Sequence, residues 1–339
     1  MTTATRPLRI GILGAANIAR LFVNGVRASP KVSVEAVASR DPERGKAFAA
    51  QTGVPRVHAT YEALLADSAI DTVYNPLPNN LHAQWTIRAA EAGKHVLCEK
   101  PLAMSAAEAK AMFDAARRND VYVAEGYPYR AQPQTIKLHE LLRAKAIGRL
   151  QLVHASFGFP LADAANIRMN PTLGGGSLMD AGSYPVSLVR MIAAERPARV
   201  HAMARMAETG VDRTVVASLE FASGLLATVS CSFATARHRL AIITGDAGVI
   251  ETTYYNDTSA LMPPLVHVRR GVGYDAPRES IECAATGGFL AEAEAFHDLV
   301  REGWQRWPGA TPDESIDIML TLDALAASIR DGTPVAVGR

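Results

Sequence analysis

The chain has 339 residues, 48% of them apolar and 20% charged, with 25 Gly and 19 Pro; these proportions exclude disordered, collagen-like and low-complexity architectures, and at roughly 150 residues per domain the length suggests two domains. Thirty-five Lys and Arg against 34 Asp and Glu leave a net charge of +1, too little to draw in nucleic acid or an anionic membrane surface. Cys98, Cys231 and Cys283 lack any Cys-x-x-Cys or Cys/His spacing, so neither a disulfide framework nor a metal site is expected. The start MTTATRPLRI has no signal-peptide core, and no apolar run approaches the roughly 18 residues of a membrane span, which points to a cytoplasmic protein.

In chain order, LRIGIL (8–13) is an apolar run closed by Gly14, and Ile18, Leu21, Phe22 and Val26 recur near helical spacing over 17–28. VSVEAVASR (32–40) reads as a strand, 42–51 as a helix, VPRVHA as a short strand, 60–66 as a helix, and DTVYNPLP (71–78) as a strand running into prolines. A helix over 80–92 ends at Gly93; then come the strand HVLCEKP, a helix over 105–119 and the strand VYVAEG (121–126). This alternation implies a doubly wound parallel sheet, and six strands by residue 126 make one dinucleotide-binding domain of residues 1–126.

Beyond 126 the texture changes. LQLVHASFGF (150–159), ARVHAMARMA (198–207), DRTVVASLEF (212–221), LLATVSCSFA (225–234) and RLAIITGDAGVIET (239–252) are β-rich, with turns at Ala222-Ser223-Gly224 and Gly245-Asp246-Ala247-Gly248. They suggest an α+β second domain over 127–339 with a large open, mostly antiparallel sheet, so the whole chain is of the α/β class. Phe289, Ala293, Phe296, Leu299 and Val300, then Ile316, Ile318, Leu322, Leu325 and Ile329, mark two terminal helices.

The fingerprint G-x-G-x-x-G allows a tight turn and lets a pyrophosphate approach the N-terminus of the next helix. Here it is Gly14-Ala15-Ala16-Asn17-Ile18-Ala19, with only the first glycine kept; the strand before it and the helix after it support a nucleotide site. Where an NAD site offers a carboxylate to the ribose, this chain has Ser39 and Arg40, with Arg44 one helical turn on. A hydroxyl and a guanidinium fork suit a 2′-phosphate, so NADP is the expected cofactor. Asp41 is discordant.

Together with this start, the segment VYNPLPNNLHAQW (73–85), the tripeptide Glu99-Lys100-Pro101 and NIRMNPTLGGGSLMDAGSYPV (166–186) make the chain resemble the Gfo/Idh/MocA oxidoreductases essentially end to end. Tyr184, where many members have His, the N-I-R run, Glu125-Gly126, Tyr129-Arg130 and Pro133-Gln134 look most like the branch of NADP-dependent D-xylose dehydrogenases, dimeric dihydrodiol dehydrogenases and deoxysugar ketoreductases. The resemblance implies an N-terminal Rossmann domain, reversible hydride transfer at a sugar or related hydroxyl, and a homodimer or homotetramer built through the C-terminal sheet.

Alcohol oxidation requires removal of the hydroxyl proton as hydride leaves the same carbon. A free phenol titrates near about 10 and needs a neighbouring cation to serve at neutral pH. The expected catalytic set is therefore Tyr184 as proton donor and acceptor, Lys100 as the cation that also bonds the substrate oxygen, and Asp180 holding a substrate hydroxyl and balancing Lys100. A helix would place Asp180 and Tyr184 on one side, although Pro185 invites a kink. Lys100 ends a strand at the carboxyl edge of a parallel sheet, where ligands bind.

Pro76 and Pro78 have no N–H, so the 76–78 loop offers carbonyls and apolar surface to the cofactor, with Leu77 as the contact. Asn79 opens the next helix, as cofactor contact or simple N-cap. The resemblance further implies that His82 points to the cofactor pocket, that Glu99 meets its ribose, and that Arg168 lies over the nicotinamide or binds substrate. Trp85 and Tyr129 read as packing residues. Substrate choice would rest on loops 127–134 and 157–170 and on Tyr254, Tyr255 and Tyr274.

The leading expectation is oxidation of an aldose at its anomeric carbon to the lactone. Reduction of a keto-sugar, free or nucleotide-linked, and oxidation of a trans-dihydrodiol remain alternatives within enzymes. A non-catalytic NADP-sensing regulator is the alternative outside them, against which stand Lys100, Asp180 and Tyr184 together.

Overall fold

The computed structural model describes residues 6–338. It divides into two compact units, Met1–Ala131 with Gly287–Pro312, and Gln132–Thr286 with Asp313–Arg339. The expected cut after residue 126, with both terminal helices in the second domain, differs from this division: the segment 287–312 belongs to the first unit.

The first unit is built from β1 (Leu8–Leu13), α1 (Asn17–Val26), β2 (Val32–Ala38), α2 (Pro42–Thr52), β3 (Arg56–His58), α3 (Tyr61–Leu65), β4 (Thr72–Asn75), α4 (Asn79–Glu91), β5 (His95–Glu99), α5 (Ala106–Arg118) and β6 (Val123–Gly126). The six strands are all parallel in the order β3-β2-β1-β4-β5-β6. Chain direction across the sheet reverses between β1 and β4, so the loops after Leu13 and Asn75 flank the crevice where doubly wound sheets bind ligands.

Local chemistry sets the helix ends. Asp41 caps α2 with Pro42 at its first position and Gly53 in a left-handed conformation after it. Ser105 and Glu108 form a reciprocal cap on α5: the Ser105 hydroxyl accepts from the Glu108 N–H, and a Glu108 oxygen accepts from the Met104 N–H at 2.9 Å.

The core of this unit explains the return of 287–312. Phe22 of α1 stacks on Tyr74 of β4 at 3.9 Å, and Phe289 meets Phe22 edge-on at 5.9 Å. Phe289, Ala293, Phe296 and Leu299 share one buried cluster with Leu8, Ile10, Val37 and Leu97. Lys31 pairs with Asp298 at 2.7 Å and the Ser29 hydroxyl donates to Glu294 at 2.8 Å, tying the same segment to the β2 side. Periodicity in the sequence reveals that the helix has an apolar face, not which core receives it.

The second unit contains α6 (Pro133–Arg143), β7 (Leu150–Gly158), α7 (Ser183–Ala193), β8 (Arg199–Met206), β9 (Asp212–Glu220), β10 (Leu226–Ser232), β11 (His238–Gly245), β12 (Gly248–Thr253), β13 (Leu265–Arg270) and β14 (Arg278–Glu282). The apolar helix of residues 288–302 is α8, in the first unit; α9 (Pro312–Asp331) and β15 (Val335–Ala336) complete the second. The nine-stranded sheet runs β14-β13-β12-β11-β7-β10-β9-β8-β15, antiparallel except for the β7–β10 pair.

Burial alternates along β9 of this sheet. Val215, Ala217 and Leu219 of β9 are buried, whereas Val216 between them is 50% exposed beside Met203 of β8 at 69%. Leu226, Leu240 and Ile242 extend the exposed apolar side. The expected large open sheet is therefore present, enlarged by β13 and β14, which the apolar pattern left unassigned because their exposed positions are polar.

Candidate active site

Within the first unit, Gly14 stands at φ +87°, and a Cβ there would meet Leu77 Cδ2 at 3.0 Å and lie 3.5 Å from the Tyr61 hydroxyl. Glycine thus lets the β1 and β4 loops approach closely. Ala16 is the N-cap of the ten-residue α1, with no side-chain cap bond and no acidic residue in the first turn. The first N–H groups of α1 are thereby left for a ligand's pyrophosphate, as a dinucleotide site requires. Asn17 gives its side-chain oxygen to Arg20 at 2.5 Å, and Ile18 is packed against the core.

The discordant Asp41 is accounted for. Its Oδ1 accepts from the Glu43 and Arg44 N–H groups at 3.0 and 3.2 Å, so the carboxylate is spent on the N-terminus of α2. The buried Ser39 accepts from the Asp41 N–H at 3.3 Å and keeps its own proton to donate. Arg40 and Arg44 are exposed. Arg40 lies beside the Tyr61 hydroxyl, which burial pushes up and Arg40 and Arg44 pull down. Arg44 and Arg20 line a shallow cavity of about 150 Å³ with Ala15 and Phe48. These residues fit a 2′-phosphorylated dinucleotide.

The β4 and β5 loops are held by buried polar groups. Asn75 donates through Nδ2 to the His82 carbonyl at 3.2 Å and the Thr86 hydroxyl at 3.1 Å, and its Oδ1 accepts from the Leu77 N–H at 3.4 Å. The two ring nitrogens of His82 face the carbonyls of Pro101 at 2.9 Å and Leu77 at 2.7 Å, so it ties the 76–78 loop to the segment after Lys100. Burial lowers its pKa, against those two bonds and with Lys100 nearby.

Asn79 is corrected as a cap: Pro78 holds the N-cap position and Asn79 is the first residue of α4. Pro76 is buried in the loop between β4 and α4. Glu99 accepts from the Tyr74 hydroxyl at 2.5 Å. Lys100 follows it at the carboxyl end of β5, half-buried, joined to Pro101 by a cis peptide. The buried Glu125 accepts from the Leu102 N–H at 3.0 Å and so supports the turn that presents Lys100. Trp85 and Tyr129 are buried, Trp85 edge-on to Tyr61 at 4.7 Å.

The remaining expected residues gather in the second unit. The Gly174–Gly176 run folds against the 166–170 turn: the Gly175 N–H donates to Asn170 and the Gly176 N–H to Arg168. A Cβ on Gly175 would stand 2.5 Å from the Arg168 carbonyl, and one on Gly176, at φ +116°, 2.4 Å from Asp212 Oδ1. Asp212 Oδ2 in turn accepts from the Ser177 hydroxyl at 2.7 Å and the Leu178 N–H at 2.6 Å. Burial pushes the Asp212 carboxyl up, and those bonds oppose it.

Residues 178–182 then form a π-helical turn that passes into α7. Pro185, third in α7, has no N–H to return to Ala181; the expected kink takes the form of this wider turn just upstream. Arg168 Nε donates to Asp180 Oδ2 at 2.7 Å. Within its unit, Asp180 is thus paired with Arg168.

Tyr184 is buried, its ring edge-on to Phe157 at 5.3 Å, and its hydroxyl accepts from Asn256 Nδ2 at 2.9 Å. Arg239 of β11 lies over both rings, 3.9 Å from Phe157 and 4.2 Å from Tyr184, and donates to Asn256 Oδ1 at 2.8 Å. Of the three tyrosines expected to shape the pocket, Tyr254 is buried and donates to the Ser156 carbonyl at 2.8 Å, Tyr255 is half-buried, and Tyr274 is fully exposed. Tyr254 therefore braces β7, and Tyr274 lies at an open cavity with Thr244, Val249 and Arg269.

A family model described as an oxidoreductase family with an NAD-binding Rossmann fold matches residues 8–127, and the GFO/IDH/MocA C-terminal domain model matches residues 135–251. The D-xylose 1-dehydrogenase (NADP(+)) 2 of Haloferax volcanii is 37% identical over 97% of this chain and 99% of its own. The chain belongs to the Gfo/Idh/MocA oxidoreductase family. Among solved structures, a 3-ketoreductase from Actinomadura kijaniata in complex with NADP and TDP-benzene superimposes with a TM-score of 0.85 at 29% identity, covering 95% of this chain and 98% of its own. An aldose-aldose oxidoreductase from Caulobacter crescentus, complexed with glycerol, gives 0.87 at 28% identity, covering 98% and 100%.

Sequence reasoning missed several residues of this Gfo/Idh/MocA site. Arg20 shares a face with Asn17 three residues earlier and was open to discovery from helical spacing. Asp41-Pro42-Glu43 is a readable cap signal. Asp212 and Asn256 carry no local signature, since each bonds a residue 34 to 72 positions away, and neither does Arg239, which bonds residues 15 and 17 positions on.

Proposed function

We propose that this protein is an NADP(H)-dependent dehydrogenase that oxidises an aldose at its anomeric carbon to the lactone. The observation that carries this reading is the end-to-end match to an NADP-dependent D-xylose dehydrogenase. The withdrawal of Asp41 into a helix cap beside Ser39 and Arg40 supports the choice of NADP. NADP, when bound, supplies the hydride acceptor. Gly14, Ala15, Ala16, Asn17 and Ile18 hold the pyrophosphate; Ser39, Arg40 and Arg44 hold the 2′-phosphate; the Pro76–Leu77 loop, Asn79 and Glu99 border the nicotinamide ribose.

In this reading Tyr184 takes the substrate hydroxyl proton, and Lys100 stabilises the phenolate and bonds the substrate oxygen. Asp180, oriented by Arg168, receives a second sugar hydroxyl. No described helix is long and apolar enough to cross a membrane. We place the enzyme in the cytoplasm, as a homo-oligomer formed through the exposed apolar side of the nine-stranded sheet, which light scattering after size exclusion would test.

The deciding experiment is the near-ultraviolet absorbance of reduced nicotinamide when purified protein meets NADP+ and single pentoses, hexoses or a trans-dihydrodiol. Growth with one aldose supports the reading. Keto-sugar reduction is the second reading, favoured by the likeness to the 3-ketoreductase; it predicts silence with every aldose and NADPH consumption with a 3-keto-sugar nucleotide. Silence in both directions with tight NADP binding would leave a sensor.

A further inference from the structure

We infer that Arg239, acting through Asn256, is a positioning residue for proton transfer: it orients the Tyr184 hydroxyl toward substrate and supplies positive charge to the oxygen when the proton leaves. The inference rests on the reading of Tyr184 as the proton-transfer residue.

Arg239 faces Phe157 in the β11–β7 register and is 8% exposed. Its guanidinium is covered by the Phe157 and Tyr184 rings, with Tyr254 farther off at 5.8 Å. Nη1 donates to Asn256 Oδ1 and, at 3.2 Å, to the Tyr254 carbonyl, while the buried Nε has no partner. No carboxylate among the described residues pairs with it. A buried cation without an anion is costly, and ring faces and carbonyl dipoles repay only part. The counter-charge absent from this pocket is the one that develops on Tyr184 when it gives up its proton.

Hydrogen-bond logic fixes the orientation. Arginine has only donors, so the Asn256 group facing it must be the amide oxygen and the group facing Tyr184 must be the amide N–H₂. The tyrosine oxygen is thereby held as an acceptor from Asn256, and its own proton points elsewhere. Gln132 bonds the Asn256 carbonyl and holds the loop in place.

The test uses turnover of NADP+ with the aldose selected by the panel above. Arg239→Gln and Asn256→Ala are expected to lower kcat about tenfold to a hundredfold with KM unchanged, the size of losing a hydrogen bond to a developing charge. Arg239→Ala should recover activity with added guanidinium. In a Tyr184→Phe background, Arg239→Gln should cost nothing further, because its effect passes through the missing hydroxyl. Wild-type kcat in both single variants while Tyr184→Phe is inactive would overturn the inference alone; so would losses that raise KM, lower the melting temperature in parallel and multiply with Tyr184→Phe. Near-wild-type turnover by Tyr184→Phe would overturn the reading of Tyr184 and the inference with it. Asn256, half-buried in a loop, provides a variant that folds should Arg239→Gln not.

Discussion

Arg40 follows the buried Ser39 and is itself exposed, while its neighbour Asp41 is committed to the α2 N-terminus. Arg40→Ala therefore removes a guanidinium without opening the core or uncapping a helix. If Arg40 forks onto a 2′-phosphate, the loss is that of charge-assisted bonds, about 1.5–3 kcal/mol, or about 10- to 150-fold in NADPH affinity. The retained Arg44 places the outcome toward the lower end, and the double variant Arg40→Ala/Arg44→Ala toward the upper. NADH has no 2′-phosphate, so its affinity should hold. Asp41→Ala is the control: loss of the cap costs about 0.5–2 kcal/mol of stability and leaves the NADPH-to-NADH ratio in place. Fluorescence titration of each variant with both reduced cofactors supplies the numbers. An equal loss for NADPH and NADH, or none for either, would refute the assignment of Ser39–Arg40 as the phosphate-reading pair.

Gly176→Ala forces a Cβ onto Asp212 Oδ1 at a positive φ and should cost about 1–3 kcal/mol, whereas Gly93→Ala, at φ +71° with open space around it, should cost strain only; equal shifts in melting temperature would contradict the tight approach. Burial, and then repulsion from Glu99, push the Glu292 carboxyl well above the ordinary range, and neither oxygen has a partner. The folded state thus keeps a proton that the unfolded chain releases above about pH 4.3, so stability falls as pH rises from there toward the folded value. Glu292→Gln removes that titration, and its stability advantage in urea melts should widen with pH; a constant difference would show that Glu292 does not titrate in that window. Burial raises the Cys98 thiol and pushes Cys231 up to about 12, while Cys283 is half-buried. Thiol titration of the native protein should count Cys283 alone and the unfolded chain all three, and a reactive Cys98 or Cys231 would argue against this packing.

The first unit was legible in the sequence because its strands are short continuous apolar runs cut by Gly, Asn and Pro, and α2, α3 and α5 carry their own side-chain caps. β1 to β6 fall within the expected segments for that reason. That Lys100 directly follows β5 was legible as well. What could not be read was where the amphipathic α8 docks, or that His82 spends both nitrogens on carbonyls, because both depend on backbone brought in from elsewhere. In the second unit the β7–β10 parallel pair joins strands separated by α7, β8 and β9, and no local pattern announces such a neighbour. The four-residue spacing of Asp180 and Tyr184 predicted a shared helical side, but not that Arg168 would take the carboxylate.

In the second unit, Asp180 is matched by Arg168 and Asp212 is bonded by Ser177 and Leu178. Arg239 is unmatched, and it lies against the tyrosine ring. A buried guanidinium attracts a group that becomes negative on losing a proton and repels one that becomes positive on gaining it. A phenol is of the first kind and an imidazole of the second. Tyr184→His should consequently retain little aldose oxidation, since the imidazole would have to accept a proton beside a buried guanidinium. Tyr184→His/Arg239→Gln should recover part of that loss, although Arg239→Gln alone lowers turnover. Such a reversal of sign is the mark of charge coupling and not of packing; if the double variant is slower than Tyr184→His, Arg239 acts on the shape of the pocket and not on its charge.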